Sequence, residues 1–180
     1  RELVEGRYVL KGENEVGFAL GSYDSSRPLI IDPYLYFSTY FGGSGYSAGY
    51  NTVSCSIAVD NQGYIYVAGT TASSAFPVYN AGQSTYGGVG YDSIGDGFIL
   101  KLAPNAASVV FATYLGGSLD DEIFAISVAP DGGIVVGGDT ASNNFPLKNA
   151  YQSTFAIPTT DSYHGFVSKL TADGQSLSWS

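Results

Sequence analysis

Asp120-Asp121-Glu122, following directly on Gly116-Gly117-Ser118-Leu119, is the densest run of titratable side chains in the chain. Oxygen-rich loops suit Ca²⁺, which takes about six to eight oxygen ligands. The matching stretch upstream, Tyr46-Ser47-Ala48, carries no carboxylate, and no EF-hand or glycine-rich calcium spacing is present. A solvated turn is therefore the expectation for Asp120, Asp121 and Glu122, with a Ca²⁺ site the weaker reading and no other cofactor implied. Asp92 to Gly97 (DSIGDG) and Asp161 to Gly165 (DSYHG) occupy equivalent places ahead of a strand. Asp side chains there suit turn formation by accepting from nearby N–H groups. His164 is the only histidine. A Ser/His/Asp relay needs such a residue within reach of both partners, and DSYHG has no nucleophile elbow, so His164 reads as a surface-loop residue. Carboxylate pairs cleave glycosides and tyrosines stack on sugars, but no pair is singled out by spacing. Gly42-Gly43 and Gly116-Gly117 lack the lysine and helix of a phosphate loop and read as strand-end turns or close backbone approaches. No catalytic residue is assigned, and the chain is not expected to be an enzyme.

The elements that must position these groups occur twice. Repeat 1 contains FSTYFGGS (37–44), IAVDNQGYIYVAGTTASSAFP (57–77) and GFILKLAP (97–104). Repeat 2 contains FATYLGGS (111–118), ISVAPDGGIVVGGDTASNNFP (126–146) and GFVSKLTA (165–172). Thr39 to Thr113 spans 74 residues, Phe76 to Phe145 69 and Lys101 to Lys169 68, the difference arising from five extra residues around 50–54. Leu177-Ser178-Trp179-Ser180 then matches Val109-Val110-Phe111-Ala112, as the truncated start of a third repeat. The expected division is 1–34 (N-terminal strands and linker), 35–108 (repeat 1), 109–176 (repeat 2) and 177–180. Self-similarity at a fixed period signals an array whose units bury their faces on neighbours.

Within a repeat, short apolar alternations separated by Gly, Asn, Asp and Pro predict strands, and no long stretch shows a 3.6-residue apolar period. Repeat 1 is expected to carry strands at 36–41, 56–59, 64–69 and 98–102, with Asp60-Asn61-Gln62-Gly63 as a tight turn and Pro130-Asp131-Gly132-Gly133 its counterpart. The N-terminal part reads as a hairpin, GRYVLKG and EVGFALGSY joined at Glu13-Asn14, followed by the proline-bracketed run PLIIDP. Phe37, Phe76, Phe98, Phe111, Phe145 and Phe166 are the expected repeat core. The fold class is all-β: two antiparallel meanders of the propeller-blade kind plus N-terminal strands, not a closed propeller on its own.

Charged residues are only 13% of the chain, about half the usual share, and apolar content is 44%, which argues for a packed β protein over disorder. A net charge of −9 from seven Lys and Arg disfavours nucleic acid and anionic membrane as partners. No apolar run approaches the roughly 18 residues of a membrane span. Cys55 has no internal disulfide partner and reads as a buried, inert thiol. A chain that begins at Arg1 without any methionine is expected to be a processed product or part of something longer, on the secreted route.

The motifs STYFGGS, IAVDNQGYIYVAGTT, FP and GFILKL, recurring in this order, resemble the SBBP (seven-bladed β-propeller) repeats of bacterial surface and secreted proteins. The stretch GFALGSYDSSRPLIIDP resembles the segment that precedes the first such repeat. The resemblance spans about residues 17–180 and implies secretion to the cell surface, blade-like sheets and no assigned activity. It transfers no catalytic residue.

Two blades are too few to close a ring, since propellers use about four to eight. The expected function is therefore a subunit of an extracellular assembly or filament, joined head to tail with other copies of itself by β-strand complementation. Tyr8, Val9, Leu10, Phe18 and Leu20 of the N-terminal strands would donate to the open end at Leu177 and Trp179. The alternative is an adhesion module within a larger propeller, in which loops 81–96 and 149–163, with Tyr86, Tyr91 and Tyr163, bind surface glycans or a protein.

Overall fold

Tight turns flanked by short alternating runs decide the architecture. The computed structural model describes residues 4–10, 16–29, 38–44, 52–88, 90, 92–154 and 162–180. Among them the regular structure is entirely strand, apart from one 3-10 turn at Pro104–Ala106. The chain divides into two units, Arg1–Tyr36 and Phe37–Ser180.

The first unit is the expected hairpin. Strands β1 (Gly6–Leu10) and β2 (Val16–Leu20) pair antiparallel, with Gly6 opposite Leu20 and Tyr8 opposite Phe18. Glu13-Asn14 and the side chains of Tyr8, Leu10 and Phe18 lie outside the described residues. Of the PLIIDP run, Pro28 and Leu29 are in no strand and the rest lies outside the described residues.

The second unit holds two four-stranded antiparallel sheets. The first has the order β3 (Val53–Val59), β4 (Ile65–Thr71), β5 (Asp96–Leu102), β6 (Val109–Leu115). The second has β7 (Asp121–Val128), β8 (Ile134–Thr140), β9 (His164–Leu170), β10 (Leu177–Trp179) in the same order. The DNQG sequence turns as its residues require. Gly63 N–H donates to Asp60 C=O at 3.0 Å, Asp60 Oδ1 accepts from the N–H of Gln62 and Tyr64, and Gly63 takes a φ of +85° that glycine adopts without strain. Gly132 at +79° does the same in repeat 2.

The sheets and the sequence repeats are out of phase. Val109–Leu115 opens repeat 2 in sequence, yet it pairs along Gly97 to Leu102 as the fourth strand of the first sheet. Leu177–Trp179 likewise pairs with Leu170 and Lys169 and is the fourth strand of the second sheet, not the beginning of a third. Connection length is the reason. Only 103–108 separates β5 from β6, and 171–176 separates β9 from β10, so each strand folds back on its predecessor. The strand expected at 36–41 is not formed over 38–43, although Ser44 makes one bridge to Ala75; Tyr36 and Phe37 lie outside the described residues.

Two apolar clusters result. One lies between the sheets and joins Tyr66, Ala68, Ile99 and Phe111 of the first to Ile123, Ile126, Ile134 and Val136 of the second. The other lies on the far face of the first sheet and gathers Phe76, Phe98, Leu100, Leu102 and Tyr114. Phe76 and Phe145 hold matching sequence positions, but Phe145 joins the cluster between the sheets. Each packs on its own strand aromatic: Phe76 on Phe98 at 4.9 Å and Phe145 on Phe166 at 4.4 Å between centroids. Burying each such side chain is worth about 1.5–3 kcal/mol.

Candidate functional site

Two of the three carboxylates expected in a solvated turn, Asp120 and Asp121, are fully buried. Asp120 and Asp121 lie where β6 passes to β7, between the two sheets, and neither is exposed. Asp120 Oδ1 accepts from the N–H groups of Gly90 (3.0 Å), Ile94 (2.8 Å) and Gly95 (2.9 Å), and its Oδ2 from Asp92 N–H at 3.2 Å. Four donors from a loop some thirty residues upstream replace the water that an exposed carboxylate would hold. Asp121 accepts from Gly117 N–H at 2.6 Å and from Ser142 Oγ at 2.8 Å. Strand alternation places Glu122 on the opposite face, across from Asp139. Burial and then the Asp139 charge raise its carboxyl above the usual range.

A third buried carboxylate completes the group. Asp96, at the start of β5, accepts from Gly87 N–H at 2.7 Å. Burial pushes Asp96 up to about 7, the neighbouring Asp121 and Asp120 adding to the rise against the pull of the hydrogen bonds. Burial likewise lifts Asp121 to about 6. Asp96 Oδ1 and Asp121 Oδ1 are buried without a hydrogen-bond partner. Gly116 makes this convergence possible, because a Cβ on it would stand 2.8 Å from Asp121 Oδ2 and 3.0 Å from Asp96 Oδ1. The glycine pair is a close backbone approach.

A carboxyl that stays neutral near pH 6–7 is raw material for a general acid. Asp96 and Asp121, however, are sealed from solvent, and the Oδ2 of each is held by a glycine N–H, with Ser142 Oγ also on Asp121. They act as a clasp, Asp96 holding Gly87 and Asp121 holding the 116–121 crossing at Gly117. Among the described residues, no group of three or more His, Cys, Asp and Glu side chains is arranged to hold a metal ion. Asp96 was missed as a partner of this cluster, although its match with His164 in the repeats marked the position as one where the two sequences diverge.

The other expected residues are dispersed. His164 opens strand β9 opposite Thr140 and is not in a loop. Asp92 is exposed and accepts from the Tyr163 hydroxyl at 2.8 Å. Tyr86 packs its ring against Tyr114 at 5.6 Å, which removes it as a free platform for a sugar. Tyr91, Asp161 and the Cys55 side chain lie outside the described residues. A shallow open pocket of about 280 Å³ is lined by Asn80, Val110, Asp173 and Gln175. Leu177 packs against the cluster between the sheets, while Trp179 is partly open to solvent. In the hairpin, Leu20 is exposed and Val9 half-buried.

The β9–β10 edge differs from its counterpart. β6 pairs along six residues of β5, from Gly97 to Leu102, whereas β10 pairs with Lys169 and Leu170 alone. Among the described residues, no strand covers positions 165–168 on that edge of β9.

Comparison with known families bears on both units. The family model of the SBBP β-propeller repeat matches residues 37–77, and a model described as a domain of unknown function (DUF7948) matches residues 1–34. No curated protein matches the chain.

Proposed function

With an SBBP β-propeller repeat in a chain of β-propeller type, we propose an extracellular structural subunit that joins other copies of itself into a cell-surface assembly or filament. The observation that carries this reading is the outer edge of β3, which pairs with no strand among the described residues. Unpaired N–H and C=O groups on a sheet edge are a template for a strand from another chain. The β1–β2 hairpin pairs only with itself among the described strands, so its outer edges are available to a neighbour. A head-to-tail contact of this kind is heterologous and extends until it closes or becomes a fibre. The charge of −9 opposes association of copies, so assembly strengthens as salt screens it.

Electron microscopy of the purified chain over a range of concentration and salt tests the reading. Rings or filaments that lengthen with salt are the expected result, with surface display checked by protease shaving of intact cells. A folded monomer at every concentration sinks it.

A second reading, a glycan-binding adhesion module, is favoured by Tyr151, which is fully exposed in the 149–163 loop, and by the partly open Tyr163. A glycan array, with binding lost in Tyr151→Ala, separates it from self-assembly.

A further inference from the structure

Buried carboxylates are paired with cationic side chains, ringed by donors, or bound to metal. Asp120 takes the second course, with four N–H groups on its two oxygens. Asp96 and Asp121 do not. Each is 0% exposed, and each has one oxygen, Oδ1, buried without a hydrogen-bond partner. The charges that act on Asp96 are those of Asp121 and Asp120, and no ion pair among the described residues includes any of the three. Both carboxyl groups border one spot over Gly116, where a Cβ would stand 3.0 Å from Asp96 Oδ1 and 2.8 Å from Asp121 Oδ2. Other oxygens crowd the same place. The Gly117 carbonyl lies beside Asp96, because a Cβ on Gly87 would overlap that oxygen while standing 3.1 Å from Asp96 Oδ2. The Tyr86 hydroxyl, close enough to Asp96 to feel its charge, is also buried without a partner. Thr140 Oγ1, across from Asp121, spends its hydrogen bonds on Ser142.

We propose that Asp96 and Asp121 hold a Ca²⁺ ion at the junction of the two sheets through the Oδ1 of each, with the Gly117 carbonyl and the Tyr86 hydroxyl completing part of its shell. The chemistry selects the ion. All the donors are oxygens, which suits a hard cation over zinc or another metal that seeks nitrogen and sulfur. Two facing carboxylates balance one divalent charge. Ca²⁺ accepts an irregular shell of carboxylate and carbonyl oxygens, whereas Mg²⁺ keeps several waters in a strict octahedron, for which a sealed junction has little room. Among the described residues no third carboxylate or imidazole stands in ligand geometry, so main-chain and hydroxyl oxygens and water make up the rest. Asp96 belongs to the first sheet and Asp121 to the second, so the ion ties the two together. The site does not depend on the assembly reading, since its donors all lie within one molecule. Because it is sealed, the ion enters as the junction forms, and binding is coupled to folding.

The test melts the full chain, stripped with a chelator, with added Ca²⁺ and with NaCl of equal ionic strength. Calcium at about 10 mM is expected to raise the melting midpoint by about 3–10 °C over the NaCl control, as mass action gives for the weak calcium sites of extracellular modules. Asp96→Asn and Asp121→Asn keep the side-chain shape and drop one charge each, and each is expected to abolish the shift. Glu122→Gln, on the opposite strand face, is expected to keep it, which separates the site from calcium held loosely by a chain of charge −9. Tb³⁺ gives a reading on wild type alone, should an asparagine variant fail to fold. Excitation of tyrosine is expected to produce its emission, because Tyr86 lies at the site, and added Ca²⁺ to remove it. Wild type that melts alike in calcium and NaCl, a shift retained in both asparagine variants, or terbium that stays dark overturns the site. A shared proton or a buried water would then satisfy the two oxygens.

Discussion

Phe111 and Trp179 hold the same place in the two repeats and live in different surroundings. Phe111 is sealed between two sheets, while Trp179, at the corresponding point of β10, is partly in water. Thr52 and Asp121, brought by the strand pairing beside Thr71 and Thr140, make a second contrast. Thr52 shares a 2.8 Å hydroxyl–hydroxyl bond with Thr71, and Asp121, opposite Thr140, binds a glycine amide and Ser142 instead. Local sequence makes the same strand twice. What packs on that strand decides whether an aromatic is sealed in the core or left partly in water, and whether a junction is neutral or titratable.

The aromatic pair gives the largest test. Phe111→Ala is expected to cost about 3–5 kcal/mol of unfolding free energy, and Trp179→Ala less than about 1 kcal/mol, in urea titrations of the monomer. Equal costs would break the comparison.

The carboxylate pair gives the next. Asp96 and Asp121 titrate near 7 and 6 in the folded chain and near 3.8 when unfolded. The folded chain therefore holds more protons than the unfolded one across that window. Their contribution is full below about pH 4, is lost as pH rises towards 7, and is level above that. Melting at pH 5 and pH 8 is expected to differ by about 2–4 kcal/mol in favour of pH 5 from these groups. The double variant Asp96→Asn with Asp121→Thr, which installs the choice made at Thr52, flattens that part of the profile.

Glycine substitution sharpens the same contrast. A Cβ at Gly116 would stand 2.8 Å from a pinned carboxylate, but at Gly42, its counterpart, 3.3 Å from Thr52. Gly116→Ala is expected to cost about 1–3 kcal/mol and Gly42→Ala less than about 1 kcal/mol in the same titrations.

Lysines give the smallest effect. Lys101 lies over the rings of Tyr64 and Tyr66, at 4.7 and 4.9 Å, whereas Lys169 pairs with Asp131. Either alanine variant is expected to cost about 0–1 kcal/mol, and only that of Lys169→Ala shrinks markedly in high salt.

The all-β class and the DNQG turn were legible because they depend on residues a few positions apart. The phase of the sheets was not. A strand such as 109–115 carries the same alternation whichever neighbour it joins, and the six-residue connection before it makes the choice. The burial of Asp120 was equally hidden, because its four donors sit on a loop that only the tertiary fold brings beneath it. The resemblance between Asp120-Asp121-Glu122 and a cation loop rests on composition. Strand alternation turns Glu122 away from Asp121, and Asp96 takes the third place.

The offset between repeat and sheet has a mechanical consequence. The last strand of the first sheet belongs by sequence to the second repeat, so the two repeats cannot be drawn apart at a bare hinge. Tension carried into β6 must break its ladder along Gly97 to Leu102 before the first sheet releases it, and the 116–120 crossing that follows is held by Asp121 at Gly117. Load along such a chain falls on many hydrogen bonds acting together.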